Sequence, residues 1–447
     1  MSLKITSSFA YKPAQDKPGV LGVKIVGTNP VHRPNHHADL VDTSGSMAYG
    51  RIAAVKKCTE AKLNLLKEGD TYSLVGFNSK ATVIFAKEKI TGDPAQKQAM
   101  IQAINKLCAD GGTNLEEGIN AMKNAVEDGP PVDAFTVLTD GQVNAGKQDT
   151  DDLYNTFPKQ VPIYTIGTGT DYNDNMLKAF SERSNASHSF IEEDVSNAGS
   201  GTEPHNKREI NLAVAIGNMV GEIQTQVASE CNLIFHAGLN CLEFGSKAGS
   251  GKYSVGTLAA DKAAWIVLEV PFGLESSGFQ FKYKLGGGTE ETLTFTPVDG
   301  ECDPLEVEAE MLRCKNAIVT STTTELLRSN NLPKAKALLT EALAFIATSA
   351  AATQPRAIVM KAQLEDLLEG VNKAIDYATQ NHCSVDDART PGVLLYRSSA
   401  IAGNYATQRG VTPMDDGTTP GVVFCSPAQM QASQQMVDQC TQGSTVV

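Results

Sequence analysis

Apolar and polar positions follow one another along this chain in four distinct rhythms. The first 33 residues hold two strand-like runs, Leu3–Tyr11 and Val20–Gly27, punctuated by Pro13, Pro18 and Pro30. Short apolar runs then alternate with helical periodicity. Ala38–Val41, Asp70–Phe77, Ala81–Phe85, Asp133–Leu138, Pro162–Gly167 and Ser187–Ile191 read as strands. Arg51–Leu66, Pro94–Cys108, Leu115–Val126 and Asn175–Ser184 read as helices; in the first, Ile52, Val55, Leu63 and Leu66 form the apolar side with Lys and Glu between them. Such alternation predicts a mostly parallel sheet with helices on both faces, an α/β doubly wound, Rossmann-like module. A helix with Leu212, Ile216, Met219 and Ile223 at near-helical spacing closes it.

The period changes after Cys231. Asn232–Ala237, Lys252–Leu258, Ala264–Val270, Phe279–Leu285 and Glu291–Pro297 are short β-like runs between glycine-rich turns, which predicts an antiparallel β-sandwich. The two N-terminal strands are expected to complete it. Helical patterns follow over Pro304–Ser329, Leu332–Ala350, Pro355–Gln380 and Val393–Arg409, with short polar connectors that suit a helical bundle. The tail from Thr412 is rich in Gly, Ser, Thr, Pro and Gln and reads as flexible, or as ordered only on a partner. The expected modules are residues 1–33 (strands joining the sandwich), 34–228 (α/β), 229–300 (β-sandwich), 301–411 (helical bundle) and 412–447 (tail). A length of 447 residues fits such a multi-domain division.

Charge narrows the function classes. The net charge is −13, which argues against nucleic acid, because phosphate binding needs a basic patch. It argues equally against docking to an anionic membrane, and no apolar run approaches the length of a membrane span. The N-terminal residues lack the apolar core of a signal peptide. The nine cysteines include no C-x-x-C pair and are expected to be free thiols in a reducing compartment, so an intracellular, cytoplasmic location is expected.

Chemistry concentrates in Asp42-Thr43-Ser44-Gly45-Ser46, between a strand and a helix. One carboxylate and two hydroxyls crowd the turn where strand hands over to helix. Oxygen ligands of this kind suit a hard cation such as Mg²⁺. Gly111-Gly112-Thr113 offers a third hydroxyl, and the strand before Thr139-Asp140-Gly141 offers a second carboxylate. In open α/β sheets ligands bind at the carboxyl ends of strands, where both Asp42 and Asp140 are expected.

These three pieces, in this order, resemble the metal-ion-dependent adhesion site of a von Willebrand factor A (VWA) domain: D-x-S-x-S, then a Thr, then an Asp at the end of a later strand. The resemblance implies Asp42, Ser44, Ser46, Thr113 and Asp140 as ligands of Mg²⁺, with Mn²⁺ or Ca²⁺ as alternatives. It implies an open position on the cation for an Asp or Glu of a partner protein, and a shift of Thr113 between direct and water-mediated contact in members that switch. The module order, with Ala402–Arg409 in the last helical stretch, is similar to the VWA–Vwaint arrangement. No RING-type Cys/His framework is present, so ligase activity is not implied.

Competing readings are weaker. A phosphatase of D-x-D type needs an acid where Ser44 stands. In Gly245–Tyr253 the glycine pattern of a phosphate loop is broken at Ser246, and Tyr253 replaces the Ser/Thr. His36-His37 read as exposed loop residues. The expectation is therefore a non-enzymatic, cation-dependent protein-binding module, with a structural component of a larger assembly, its metal only stabilising the turn, as the alternative.

Overall fold

The computed structural model describes residues 2–28, 33–48, 50–169, 172–191, 205–243, 248–249, 251–285, 288–380, 392–408 and 426–442. Two strands open the chain, β1 (Ser2–Tyr11) and β2 (Gly19–Thr28). The alternating stretch follows as β3 (His36–Asp42), a 3-10 turn at Gly45–Met47, α1 (Arg51–Leu65), β4 (Thr71–Phe77), β5 (Ala81–Lys89), α2 (Pro94–Ile104), α3 (Leu115–Val126), β6 (Ala134–Thr139), α4 (Thr150–Thr156), β7 (Ile163–Thr168), α5 (Asp174–Ser184), β8 (His188–Ile191) and α6 (His205–Gln224). Then come β9 (Gln226–Ile234), β10 (Asn240–Cys241), β11 (Ala248–Gly249), β12 (Lys252–Ala259), β13 (Ala263–Val270), β14 (Phe279–Leu285) and β15 (Glu290–Phe295). The helices α7 (Pro304–Arg328), α8 (Leu332–Thr348), α9 (Pro355–Gln380), α10 (Gly392–Thr407) and α11 (Pro427–Gln442) end the chain. Contacts divide it into two units, residues 32–225 with 425–447, and residues 1–31 with 226–424.

The first unit is the α/β module. Its six-stranded sheet runs β5-β4-β3-β6-β7-β8. Every pair is parallel except β4 with β5, so an antiparallel strand closes one edge. All residues of β3, β4, β6 and β7 are buried, as strands covered on both faces must be. That burial extends to polar residues and corrects the reading of His36 and His37. Both lie inside β3 and are 1% exposed. The His36 ring contacts Pro130 O and Ser73 Oγ at 2.9 Å each. Burial pushes the pKa of His36 down and that of His37 well down, which keeps the rings neutral. Likewise Lys62, on the helix side assigned to solvent, is buried; its Nζ donates to Asp39 at 2.8 and 2.7 Å, and Tyr72 donates to the same carboxylate at 2.9 Å.

The tail departs most from expectation. Residues 412–425 and 443–447 of it lie outside the described residues, but Pro427–Gln442 is a helix packed on α6 and α1. Gln429, Ala432, Met436 and Cys440 form its buried stripe, a helical spacing carried by one large apolar side chain and several small or polar ones. The approach is close because α6 presents Gly217 and Gly221. A Cβ at Gly217 would lie 2.5 Å from Ser433 Cα, and one at Gly221 would lie 2.7 Å from Gln429 Cα. The Cys440 sulfur sits 3.7 Å from that of Cys58 on α1.

The second unit holds two antiparallel sheets, β1-β2-β13-β10 and β11-β12-β9-β14-β15. The N-terminal strands enter through a full-length pairing of β2 with β13. Leu21, Val23, Ile25 and Leu268 from the first sheet share a core with Leu233, Phe279 and Phe281 from the second. The C-terminal helices α7–α10 bury Leu312, Leu339, Leu364, Leu367 and Ile401 in a core of their own.

Candidate metal site

Parallel pairing builds the site. β3 lies between β4 and β6, with Val41 opposite Leu138. That register ends both strands at one level, so Asp42 lies beside Thr139 and Asp140 follows directly. The turn after β3 is tied on both sides. Thr43 donates to Phe77 O through N at 2.7 Å and through Oγ1 at 3.1 Å. Gly45 N donates to Gly111 O at 2.9 Å, which brings in the Gly111-Gly112-Thr113 loop. Thr113 is held from the other flank, its N donating to Asn144 Oδ1 at 2.9 Å and its carbonyl accepting from Asn144 N at 3.0 Å.

The side chains form a continuous chain of contacts. Asp42 Oδ1 accepts from Ser44 N at 2.7 Å, and Asp42 Oδ2 accepts from Thr139 Oγ1 at 2.5 Å. Ser44 Oγ and Ser46 Oγ are 2.9 Å apart, and Ser46 Oγ donates to Asp140 Oδ1 at 2.6 Å. Asp42, Ser44, Thr113 and Asp140 are buried, and Ser46 is exposed at the surface of the site. Burial raises the Asp42 pKa to about 6; the Thr139 and Ser44 hydrogen bonds act against that rise and the Asp140 charge adds to it.

Glycine 141 leaves room in the middle. The position its Cβ would take is 3.4 Å from Ser46 Oγ and 3.6 Å from Thr113 Oγ1. Thr113 thus faces the same small volume as the Ser46 hydroxyl. The five sequence-predicted residues are brought together, none left on another face. Two carboxylates and three hydroxyls around one space is a hard-oxygen donor set, and it fits a divalent cation of the Mg²⁺ class. Among the described residues no cluster of three or more His, Cys, Asp or Glu side chains offers a different metal site. His36 and His37 begin the strand that Asp42 ends, so they take no part.

The von Willebrand factor type A domain family model matches residues 40–203, the stretch that carries all five residues. The chain contains a VWA domain. Curated relatives match over a minority of the chain. An uncharacterized protein of Synechocystis is 27% identical over 157 residues, 34% of this chain and 36% of the relative. Inter-alpha-trypsin inhibitor heavy chain H1 of Mesocricetus auratus is 27% identical over 154 residues, 32% of this chain and 17% of the relative. The match therefore spans about a third of the first relative's length and a sixth of the second's. Solved structures share the fold more widely. A von Willebrand factor type A protein from Catenulispora acidiphila superposes with a TM-score of 0.62 at 16% identity, over 90% of this chain and 96% of that one. An ArnB paralogue from Sulfolobus acidocaldarius gives 0.55 at 16% identity, over 92% and 99%.

Two residues at the VWA site escape the sequence motif. Thr139 anchors the Asp42 carboxylate, yet only strand register reveals it. Arg51 donates from Nη1 to Asp140 Oδ2 at 2.5 Å and to Ser46 O at 3.1 Å. Its one sequence signal is a cation at the first position of a helix, where the dipole disfavours positive charge.

Proposed function

We propose that Asp42, Ser44, Ser46, Thr113 and Asp140 of the VWA domain hold a divalent cation, Mg²⁺ before Mn²⁺ or Ca²⁺, and that the chain is a non-enzymatic protein-binding module. The observation that carries this reading is the run of contacts from the Asp42 carboxylate through Ser44 and Ser46 to Asp140, with the Thr113 hydroxyl beside Ser46 across Gly141. When bound, the cation supplies a positive centre for a carboxylate of a partner. The chain's own residues do the rest. Thr139 and the Ser44 amide fix the Asp42 carboxylate, Asn144 fixes Thr113, and the neutral hydroxyls add oxygen atoms without adding charge. A chain of net charge −13 otherwise repels an acidic partner, so the cation reverses the electrostatics at one point. The partner is accordingly a protein that offers Asp or Glu.

The test is partner retention by the immobilised full chain with Mg²⁺, with EDTA, and with Asp42→Ala. Loss of the partner under EDTA and in the variant, with both proteins still folded by circular dichroism, supports the reading. Retention of the partner in EDTA overturns it. A variant that fails to fold or assemble instead favours the scaffold reading, in which the metal only braces the turn.

A further inference from the structure

Arg51 bears on the same donor set and has no place in the adhesion motif. It is the first residue of α1, preceded by Gly50 at φ +91°. That left-handed turn, easy for glycine, starts α1 directly beside the Asp140 carboxylate. Arg51 is 19% exposed and Asp140 0%, so the pair is mostly shielded from water. Positive charge at a helix N-terminus opposes the macrodipole, so α1 itself gives Arg51 no reason to be there. The Asp140 oxygen and the Ser46 carbonyl do.

The arrangement divides the oxygens of Asp140. Oδ1 accepts from Ser46, itself a member of the donor set, and Oδ2 accepts from Arg51. We infer that Arg51 is a resident counter-cation of the site: it competes with the divalent cation for Asp140 and sets the affinity for that cation deliberately low. This inference rests on the metal-site reading above. Charge arithmetic gives the consequence. Counting Asp42, Asp140 and Arg51 alone, two carboxylates and one guanidinium present a net charge of −1 to a divalent cation, where the carboxylates would present −2 without it. The loaded site then carries +1 instead of zero. The same residue that weakens the cation therefore strengthens the pull on a partner carboxylate. Without Arg51 the metal would be held tightly in a neutral site with less attraction for an acidic side chain.

The test is calorimetric titration of the full chain with Mn²⁺, comparing wild type, Arg51→Gln and Arg51→Lys. Glutamine keeps hydrogen-bonding capacity and removes the charge; lysine keeps the charge and removes the planar fork. Arg51→Gln is expected to bind Mn²⁺ on the order of 10- to 100-fold more tightly, the size by which one unit charge a few ångströms away displaces an ionic equilibrium. Arg51→Lys is expected to stay near wild type. Should Arg51→Gln be unstable without metal, because the buried Asp140 loses its partner, the rise of the thermal midpoint with Mn²⁺ reads the same quantity and is expected to exceed that of wild type. Binding in wild type with no gain in Arg51→Gln, or an equal gain in Arg51→Lys, overturns this inference and leaves the metal site standing. No Mn²⁺ binding in any of the three proteins removes the metal site and this inference together.

Discussion

Replacing Gly217 by alanine should loosen the C-terminal helix, against the usual effect of that substitution. In an unobstructed helix interior, Gly→Ala stabilises by about 1 kcal/mol through backbone entropy. At Gly217 the new methyl would stand 2.5 Å from Ser433 Cα and 2.7 Å from Ala432 O, both backbone atoms of α11. No rotamer change relieves a clash with backbone, so α11 must retreat by roughly 1 Å to reach van der Waals distance. That retreat strips contact from Ala432, Met436 and Cys440, the buried stripe of the helix. Overpacking of this kind costs about 1–3 kcal/mol, which offsets the entropic gain and leaves a net loss of up to about 2 kcal/mol. Hydrogen exchange of the α11 amides reads this directly, with an expected acceleration of up to roughly thirtyfold. Gly370→Ala serves as control, because its methyl would meet only a Leu394 side chain that can move. Slower exchange of α11 in Gly217→Ala, or a higher thermal midpoint, would refute the close-packed docking of this helix.

Three further outcomes follow from buried polar groups of the same unit. Burial pushes the pKa of His188 from 6.5 down to about 4, so the folded chain holds it neutral while the unfolded chain protonates. The stability it protects is complete above pH 6.5 and falls by about 3 kcal/mol as pH drops toward 4; a pH dependence of the thermal midpoint between 7.5 and 4.5 that is the same in His188→Gln as in the wild type contradicts this. Thr139→Val removes the hydroxyl that donates to Asp42 Oδ2 and should weaken Mn²⁺ binding by on the order of tenfold with the fold intact by circular dichroism, and unchanged binding would speak against a positioning role. Lys62→Ala strands the Asp39 carboxylate in the core beside Tyr72 and should cost about 3–5 kcal/mol in thermal or denaturant unfolding; a loss under 1 kcal/mol would show that water reaches Asp39.

The α/β module was legible because its central strands are near-continuous apolar runs, Leu40-Val41 and Phe135–Leu138 among them, and because its chemistry sits where such runs stop. Asp42 and Asp140 stand out as polar residues at strand ends, and their convergence needs only that the two strands be parallel neighbours. What stayed hidden depends on pairing across the fold. His36, His37 and Lys62 look like solvent residues by type, and only the layers around them make them buried. The α4 helix is seven residues long and buries Leu153 and Thr156 alone, too little to set a period. The α11 helix has the composition of a linker, and it is held by two glycines of α6 more than 200 positions earlier in the chain. Arg51 is plain in the sequence, but nothing local says that it points at Asp140. The two antiparallel sheets and the C-terminal helices were legible as periods, while the buried Arg313, paired with Glu243 and Glu310, was not.

The most direct test of the central claim is anomalous diffraction from crystals of the full chain soaked in Mn²⁺. The account predicts an anomalous peak beside Gly141, among the Ser44, Ser46 and Thr113 hydroxyls, that disappears in Asp42→Ala. Manganese bound only elsewhere on the chain, or none at saturating concentration, would contradict it.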